Sequence, residues 1–259
     1  MVKPTILGVP YDASSSFMRG TADAPPEIRK EIWSESRNTW CEAGIDLDGV
    51  LSDAGDVTIG DDPREEIEAA VSSVLNSGAT PIVLGGDHSI TYPVLRAFRA
   101  QDFDVLHIDA HADLYDSLDG DRYSHACPFA RSMEDGLIRR LVQVGVRTMN
   151  GHQQEQANKF GVEVIQMRDF SSGMRPKLNP PVYVSIDIDG IDPAFAPGVS
   201  HYEPGGLSVR DVLTMIHALP GPIIGADVVE YNPNRDVQGM TANVAAKLVR
   251  ELAGRMVTA

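Results

Sequence analysis

Cysteine is scarce in this chain of 259 residues, with only Cys41 and Cys127. Two cysteines that form no C-x-x-C pair exclude a disulfide framework and fit a reducing compartment, so the expectation is a cytoplasmic protein. Long apolar runs are also missing. No stretch approaches the ~18 residues of a membrane span, and the opening "MVKPTILGVPYD" lacks the apolar block of a signal peptide. Internal repeats, low-complexity tracts and linker-like segments are absent, which favours one domain over residues 1–259. Basic residues are few, 22 Lys and Arg against 37 Asp and Glu, for a formal charge of -15. That excess argues against nucleic acid as a partner and favours a cationic ligand, although solubility or a salty cytoplasm accounts for it equally well.

What the sequence does contain is a regular alternation. Short apolar runs predict eight strands, at 5–9, 50–57, 81–86, 103–110, 141–146, 162–167, 182–189 and 223–230. Helix-like segments lie between most of them, at 25–36, 63–78, 89–100, 126–140, 151–161 and 208–219, with a last one at 241–254. Asp62 before Pro63, with Glu65 and Glu66 in the first turn, reads as a helix start; Ser208 with Asp211 three residues on reads as a capping box. Apolar strands alternating with amphipathic helices describe an α/β protein with a mostly parallel sheet covered on both faces.

In such a sheet, ligands gather outside the carboxyl ends of the strands. Four of those ends are loaded. "GGDHS" delivers His88; "HIDAHAD" places Asp109, His111 and Asp113 at every second position; "SIDID" places Asp187 and Asp189 two apart; and "DVVE" ends on Glu230. Residues two apart in extended chain share a face. Two imidazoles and four carboxylates converging from three strands repel one another unless a cation sits among them, and six donors suffice for two. Oxygen-rich ligation with some nitrogen suits Mn²⁺, with Asp109 and Asp187 able to bridge a pair of ions and a hydroxide held between them, which is a hydrolytic centre. An EF-hand reading of "DIDGID" fails, because its glycine is fourth from Asp187 and Glu203 is misplaced. Asp192, before Pro193, fits an Asx turn. His107 fits a hydrogen-bonded support better than a ligand, His152 and His217 fit helix surfaces, and His201 has no assigned role. Cys127, two residues after His125, reads as a buried, inert thiol.

"GGDHS", "DAHAD", "SIDIDGIDPAFAPG" and "DVVEYNP", in this order and over essentially the whole chain, resemble the motifs of the ureohydrolase (arginase/agmatinase) family. The resemblance implies a three-layer α/β/α fold with an eight-stranded sheet and two Mn²⁺ per chain. One ion would take His88, Asp109, Asp113 and Asp187, the other Asp109, His111, Asp187 and Asp189. It further implies that His125 in "RYSHACPF" shuttles protons, that Glu230 pairs with a guanidinium, that Asp113 relays the proton to the leaving amine, and that the chain forms trimers or hexamers. The amino-terminal segment is short, without the arm some agmatinases use in assembly. His201, in "PGVSHYEPGG", stands where many relatives have a threonine beside the substrate pocket.

Asp116, Asp119 and Asp121 between Asp113 and His125 would form an acidic rim favouring an ammonium tail, so the expected substrate is agmatine, in polyamine metabolism. The alternatives are an arginase or guanidino-acid hydrolase with the same chemistry, a metal-dependent deacetylase, and a catalytically silent metal-binding protein.

Overall fold

A computed structural model describes residues 2–258. Its eight strands are β1 (Pro4–Gly8), β2 (Ser52–Asp56), β3 (Thr80–Leu84), β4 (Asp104–Ile108), β5 (Arg140–Val144), β6 (Glu163–Ile165), β7 (Val182–Asp187) and β8 (Ile223–Val229). All are parallel and form one sheet in the order β2-β1-β3-β8-β7-β4-β5-β6. The helices are α1 (Ala24–Ile32), α2 (Pro63–Asn76), α3 (Thr91–Arg96), α4 (Pro128–Glu134), α5 (Gly151–Phe160), α6 (Val209–Ala218) and α7 (Met240–Thr258).

The two-residue period of the strands splits the core in two. Leu106 and Ile108 of β4 face one layer, with Val184 and Ile186 of β7, Val212 and Ile216 of α6, and Leu248 and Leu252 of α7. Val105 faces the other, with Val83, Tyr183, Ile67 and Val71 of α2, Val94 of α3 and Phe129 of α4. The result is the three-layer α/β/α arrangement expected from the alternation. No helix among the described residues is long and apolar enough to cross a membrane.

Three local expectations need adjustment. Strand β2 is exposed along its whole length; Val50, Leu51 and Val57, which suggested an apolar strand, flank it, and its Asp53 and Asp56 bind Arg29. Charge on an edge strand discourages pairing with another sheet. Helix α3 starts late because a 3₁₀ turn, His88–Ile90, precedes it, with Asp87 accepting from the Ser89 N–H. Asp62 makes no side-chain cap to α2, whereas Ser208 and Asp211 form the expected capping box on α6.

The strand order is what assembles the site. β3, β8, β7 and β4 are far apart in sequence and adjacent in the sheet, so the four loaded carboxyl ends stand side by side.

Candidate metal centre

Asp109 follows the end of β4 directly, and His111 and Asp113 continue from it; Asp187 is the last residue of β7, and Asp189 sits in the 3₁₀ turn that follows. The Asp187 carboxylate accepts the Asp189 N–H at 2.8 Å, and the Asp189 carboxylate accepts the Ala110 N–H at 3.2 Å. The two loops touch because residue 190 is glycine: a Cβ there would lie 2.8 Å from the Asp109 nitrogen. Asp113 and Glu230 both adopt left-handed backbone, φ 50° and 62°. For residues other than glycine that conformation costs energy, and it aims both carboxylates inward.

Around His88 the donors converge. Its Nδ1 lies 3.3 Å from Asp109 Oδ2, 3.0 Å from Asp113 Oδ2 and 3.2 Å from Asp187 Oδ2. Around His111, Nδ1 lies 3.3 Å from Asp109 Oδ1 and 3.1 Å from Asp189 Oδ2. Asp109 therefore divides its two oxygens between two imidazoles. All four aspartates are buried. Burial, then the neighbouring Asp189 and Asp109 carboxylates, pushes Asp187 well above the usual carboxylate range.

The protonation of His88 can be worked out from its neighbours. Buried Asp227 accepts from Tyr183 Oη at 2.7 Å, Thr91 Oγ1 at 3.1 Å and Ser185 Oγ at 2.6 Å. With its one hydrogen given to Asp227, Ser185 can only accept from His88 Nε2 at 3.0 Å. Neutral His88 then carries its proton on Nε2 and presents a bare Nδ1, which is buried without a hydrogen-bond partner, to three carboxylate oxygens. A lone pair facing carboxylates in a dry site is repulsive. Without a metal a second proton relieves it, since burial works against the imidazolium but the three aspartates outweigh it and raise His88 well above its usual range; a divalent cation in place of that proton would do the same. The donor set fits divalent ions of the hard to borderline kind.

His107 also lies close enough to His88 and Asp109 to count as a third donor. Both its nitrogens are engaged: the Gln143 amide donates to Nδ1 at 3.0 Å, so Nε2–H donates to Asp109 Oδ2 at 2.8 Å. With both nitrogens engaged, its ring is placed to hold the Asp109 carboxylate in position. Asp192 closes a turn onto the Ala194 N–H. His152 stacks on Tyr115 and His217 binds Glu251, both away from the centre. Burial pushes the Cys127 thiol up to about 12, which leaves it inert.

Glu230 and His125 sit beside the donor cluster. Glu230 Oε1 accepts the His88 N–H at 2.9 Å and meets His125 Nδ1 at 3.1 Å; His125 Nε2 reaches Ser16 Oγ at 2.8 Å. His201 stacks on His125 with ring centres 5.6 Å apart and meets His111 edge-on at 5.9 Å. These rings open into a cavity of about 200 Å³ with the aspartates at its floor and Ser16, Tyr115, Leu118, Thr148 and Gln153 on its outer wall.

The acidic rim is absent. Asp116, Asp119 and Asp121 do not line the cavity: Asp116 turns to His152, Asp119 occupies a tight turn at φ 52°, and Asp121 accepts the Tyr123 N–H. Arg122 pairs with Glu134. The sequence reading missed Ser16, Tyr115, Thr148 and Gln153. Thr148 was within reach of it, since it follows the carboxyl end of β5; the others carried no signal.

The parallel sheet and the paired imidazole–carboxylate cluster at its carboxyl edge define a ureohydrolase-class α/β/α protein. The chain belongs to the Arginase family, whose profile matches residues 2–254. Arginase 1, mitochondrial, of Arabidopsis thaliana is 51% identical over 276 residues, covering 97% of this chain and 80% of that protein. The guanidinobutyrase of Pseudomonas aeruginosa is 36% identical, covering 95% and 84%. The solved arginase of Medicago truncatula superposes with a TM-score of 0.95 at 47% identity, covering 98% and 87%.

These relatives correct two expectations. Agmatine loses its basis, because plant arginases match at 49–51% identity against 36% for the guanidinobutyrase and 33% for the agmatine ureohydrolase of Thermoplasma volcanium, and the aspartates that argued for an ammonium tail do not line the cavity. The cytoplasmic expectation is overturned by relatives named as mitochondrial or chloroplastic. Two unpaired thiols indicate reducing conditions without indicating which reducing compartment.

Proposed function

We propose that this protein is an arginase: it hydrolyses the guanidinium group of L-arginine to urea and ornithine, with two Mn²⁺ held by His88, Asp109, Asp113 and Asp187 and by Asp109, His111, Asp187 and Asp189. The observation that carries the choice of substrate is the outer wall of the cavity. Ser16, Tyr115, Thr148 and Gln153 offer hydrogen bonds without charge, which suits a tail bearing both an α-carboxylate and an α-ammonium. Similarity to plant arginases supports the same choice.

A bound pair of divalent ions would supply a water of lowered pKa as the nucleophile. The chain's own groups do the rest. Burial alone would raise Glu230, but its bonds to His125 and the His88 N–H outweigh this and hold it below the usual range, ionised to receive the guanidinium. Asp113, buried at the cavity floor, carries the proton to the leaving amine nitrogen, which cannot depart as an anion. His125, between Glu230 and Ser16, moves protons toward the mouth, and His201 packs its ring against that imidazole at the substrate's side. The active form is proposed to be a homo-oligomer, trimer or hexamer, which sedimentation would establish.

The test is a comparison of kcat/KM for arginine, agmatine and 4-guanidinobutyrate with added Mn²⁺, followed by urea release. Arginine should lead. A preference for 4-guanidinobutyrate would make the protein a guanidino-acid hydrolase, the second reading, which the guanidinobutyrase relative favours.

A further inference from the structure

A second cavity lies at the opposite edge of the sheet. It holds about 100 Å³ between the end of α1 (Ile32, Trp33), the loop carrying Thr39, Leu47, Asp48 and Leu51, and Arg250 of α7. Leu51 directly precedes β2, so this is the amino-terminal edge, away from the metal centre. Arg250 is 7% exposed, and its guanidinium makes no hydrogen bond or ion pair with any described residue; its Nε is buried and unpartnered. Two charges act on it: a like charge, Arg37, whose Nε is also buried without a partner, and the carboxylate of the adjacent Glu251, which does not bond it and is committed to Lys247, His217 and the Glu42 N–H.

An arginine buried this far is ordinarily paired, because a largely desolvated charge without a partner is unfavourable, and here only the terminal nitrogens keep access to solvent. The other arginine buried to this degree among the described residues, Arg131, binds the Asp116 carbonyl and Glu134. The rest of the cavity says what the missing counter-charge belongs to. Ile32, Leu47, Leu51 and the face of Trp33 form an apolar lining, and the volume admits only a small molecule. We propose that this cavity is a binding site for a small aliphatic carboxylate, its carboxylate paired with Arg250 in the forked geometry a guanidinium favours and its tail against Trp33 and the leucines. The exposed Asp48 at the rim excludes a second negative group on the ligand, which restricts it to monocarboxylates, including those bearing an ammonium.

The probe is sodium propionate, read by the fluorescence of Trp33. The chain has two tryptophans, and Trp40→Phe in the full-length, Mn²⁺-loaded protein leaves Trp33 as the single reporter. Titration against sodium chloride at matched ionic strength should show saturable binding, with half-saturation on the order of millimolar for a ligand this small. Arg250→Met should weaken it about tenfold or more, as expected for loss of a charge-assisted pair. Leu51→Phe, which fills the cavity, leaves Arg250 in place and adds no tryptophan, should abolish it even if Arg250→Met folds poorly. No saturable change up to about 50 mM propionate, or binding unaffected by both variants, would overturn the proposal. So would loss of assembly in Arg250→Met by sedimentation without propionate binding in the parent, since the counter-charge would then come from a second copy of the chain.

Discussion

Replacing Ser185 by alanine isolates the contribution of one buried hydroxyl to the metal centre. Ser185 accepts from His88 Nε2 at 3.0 Å and donates to Asp227 at 2.6 Å, and all three side chains are fully buried. Alanine leaves the His88 N–H without an acceptor, at the full cost of an unsatisfied buried donor. Asp227 loses one donor of three, keeping Tyr183 and Thr91. With ~1–3 kcal/mol for the first and a smaller amount for the second, the metal-free protein should lose roughly 2–4 kcal/mol. For a chain of this size that lowers the melting temperature by roughly 5 °C or more. The imidazole also loses what fixes its tautomer and orientation, so affinity for Mn²⁺ should fall roughly 10–100-fold. Competition against a calibrated chelator reads the affinity, and calorimetry reads the stability. Thr91→Val is the control: it takes a donor from Asp227 at 3.1 Å without touching His88, and should lower stability slightly with metal affinity unchanged. If Ser185→Ala holds Mn²⁺ as tightly as the parent, or if Thr91→Val loses as much affinity, the orientation of His88 does not depend on this chain of hydroxyls.

Asp189→Ala should retain one tightly held Mn²⁺ per chain by elemental analysis, because it removes the oxygen 3.1 Å from His111 Nδ1 and leaves the three around His88; two retained ions would refute the two-site assignment. In metal-free protein, burial works against the His125 imidazolium but the Glu230 carboxylate outweighs it, raising His125 from 6.5 to about 9. A raised pKa means that its stabilising contribution is fully present below pH 6.5 and is lost as pH climbs through about 9. An NMR titration of the ring should find a midpoint near 9, lowered in Glu230→Gln; a parent midpoint at or below 6.5 would contradict the pairing.

The residues that face the proposed ions were readable because their pattern is local. The apolar runs marked the strand ends that the donor-rich segments follow, but the expectation of a shared strand face from the two-residue spacing fails: only Asp187 lies in a strand, Asp109, His111 and Asp113 follow β4 in non-extended chain, and Asp189 sits in a 3₁₀ turn. Non-local facts were not readable. Nothing in the sequence says that β8 inserts between β3 and β7, that Ser16 meets His125, or that Gln153, which caps α5 with Asn150, also lines the cavity. The loop from 116 to 121 shows the limit most clearly. Its composition is acidic, but the direction in which a loop presents its carboxylates depends on partners such as His152 and the Tyr123 amide. The capping box on α6 was legible for the opposite reason, since both partners lie within four residues.

The position of β8 governs the order in which the protein can assemble. β8 contributes none of the six proposed ligands, yet it is the strand through which β3, which leads to His88, is joined to β7, which leads to Asp187. Until residues 223–229 have docked, with Asp227 against Val83 on one side and Ser185 on the other, His88 has no scaffold in common with the five proposed ligands that follow the directly paired β4 and β7. Pairings across so much intervening chain form slowly, since loop closure precedes the contacts that reward it. The donor set around His88 is therefore completed late, whereas the set around His111 needs only β4 and β7, and a cation bound at either would stabilise the native state by mass action.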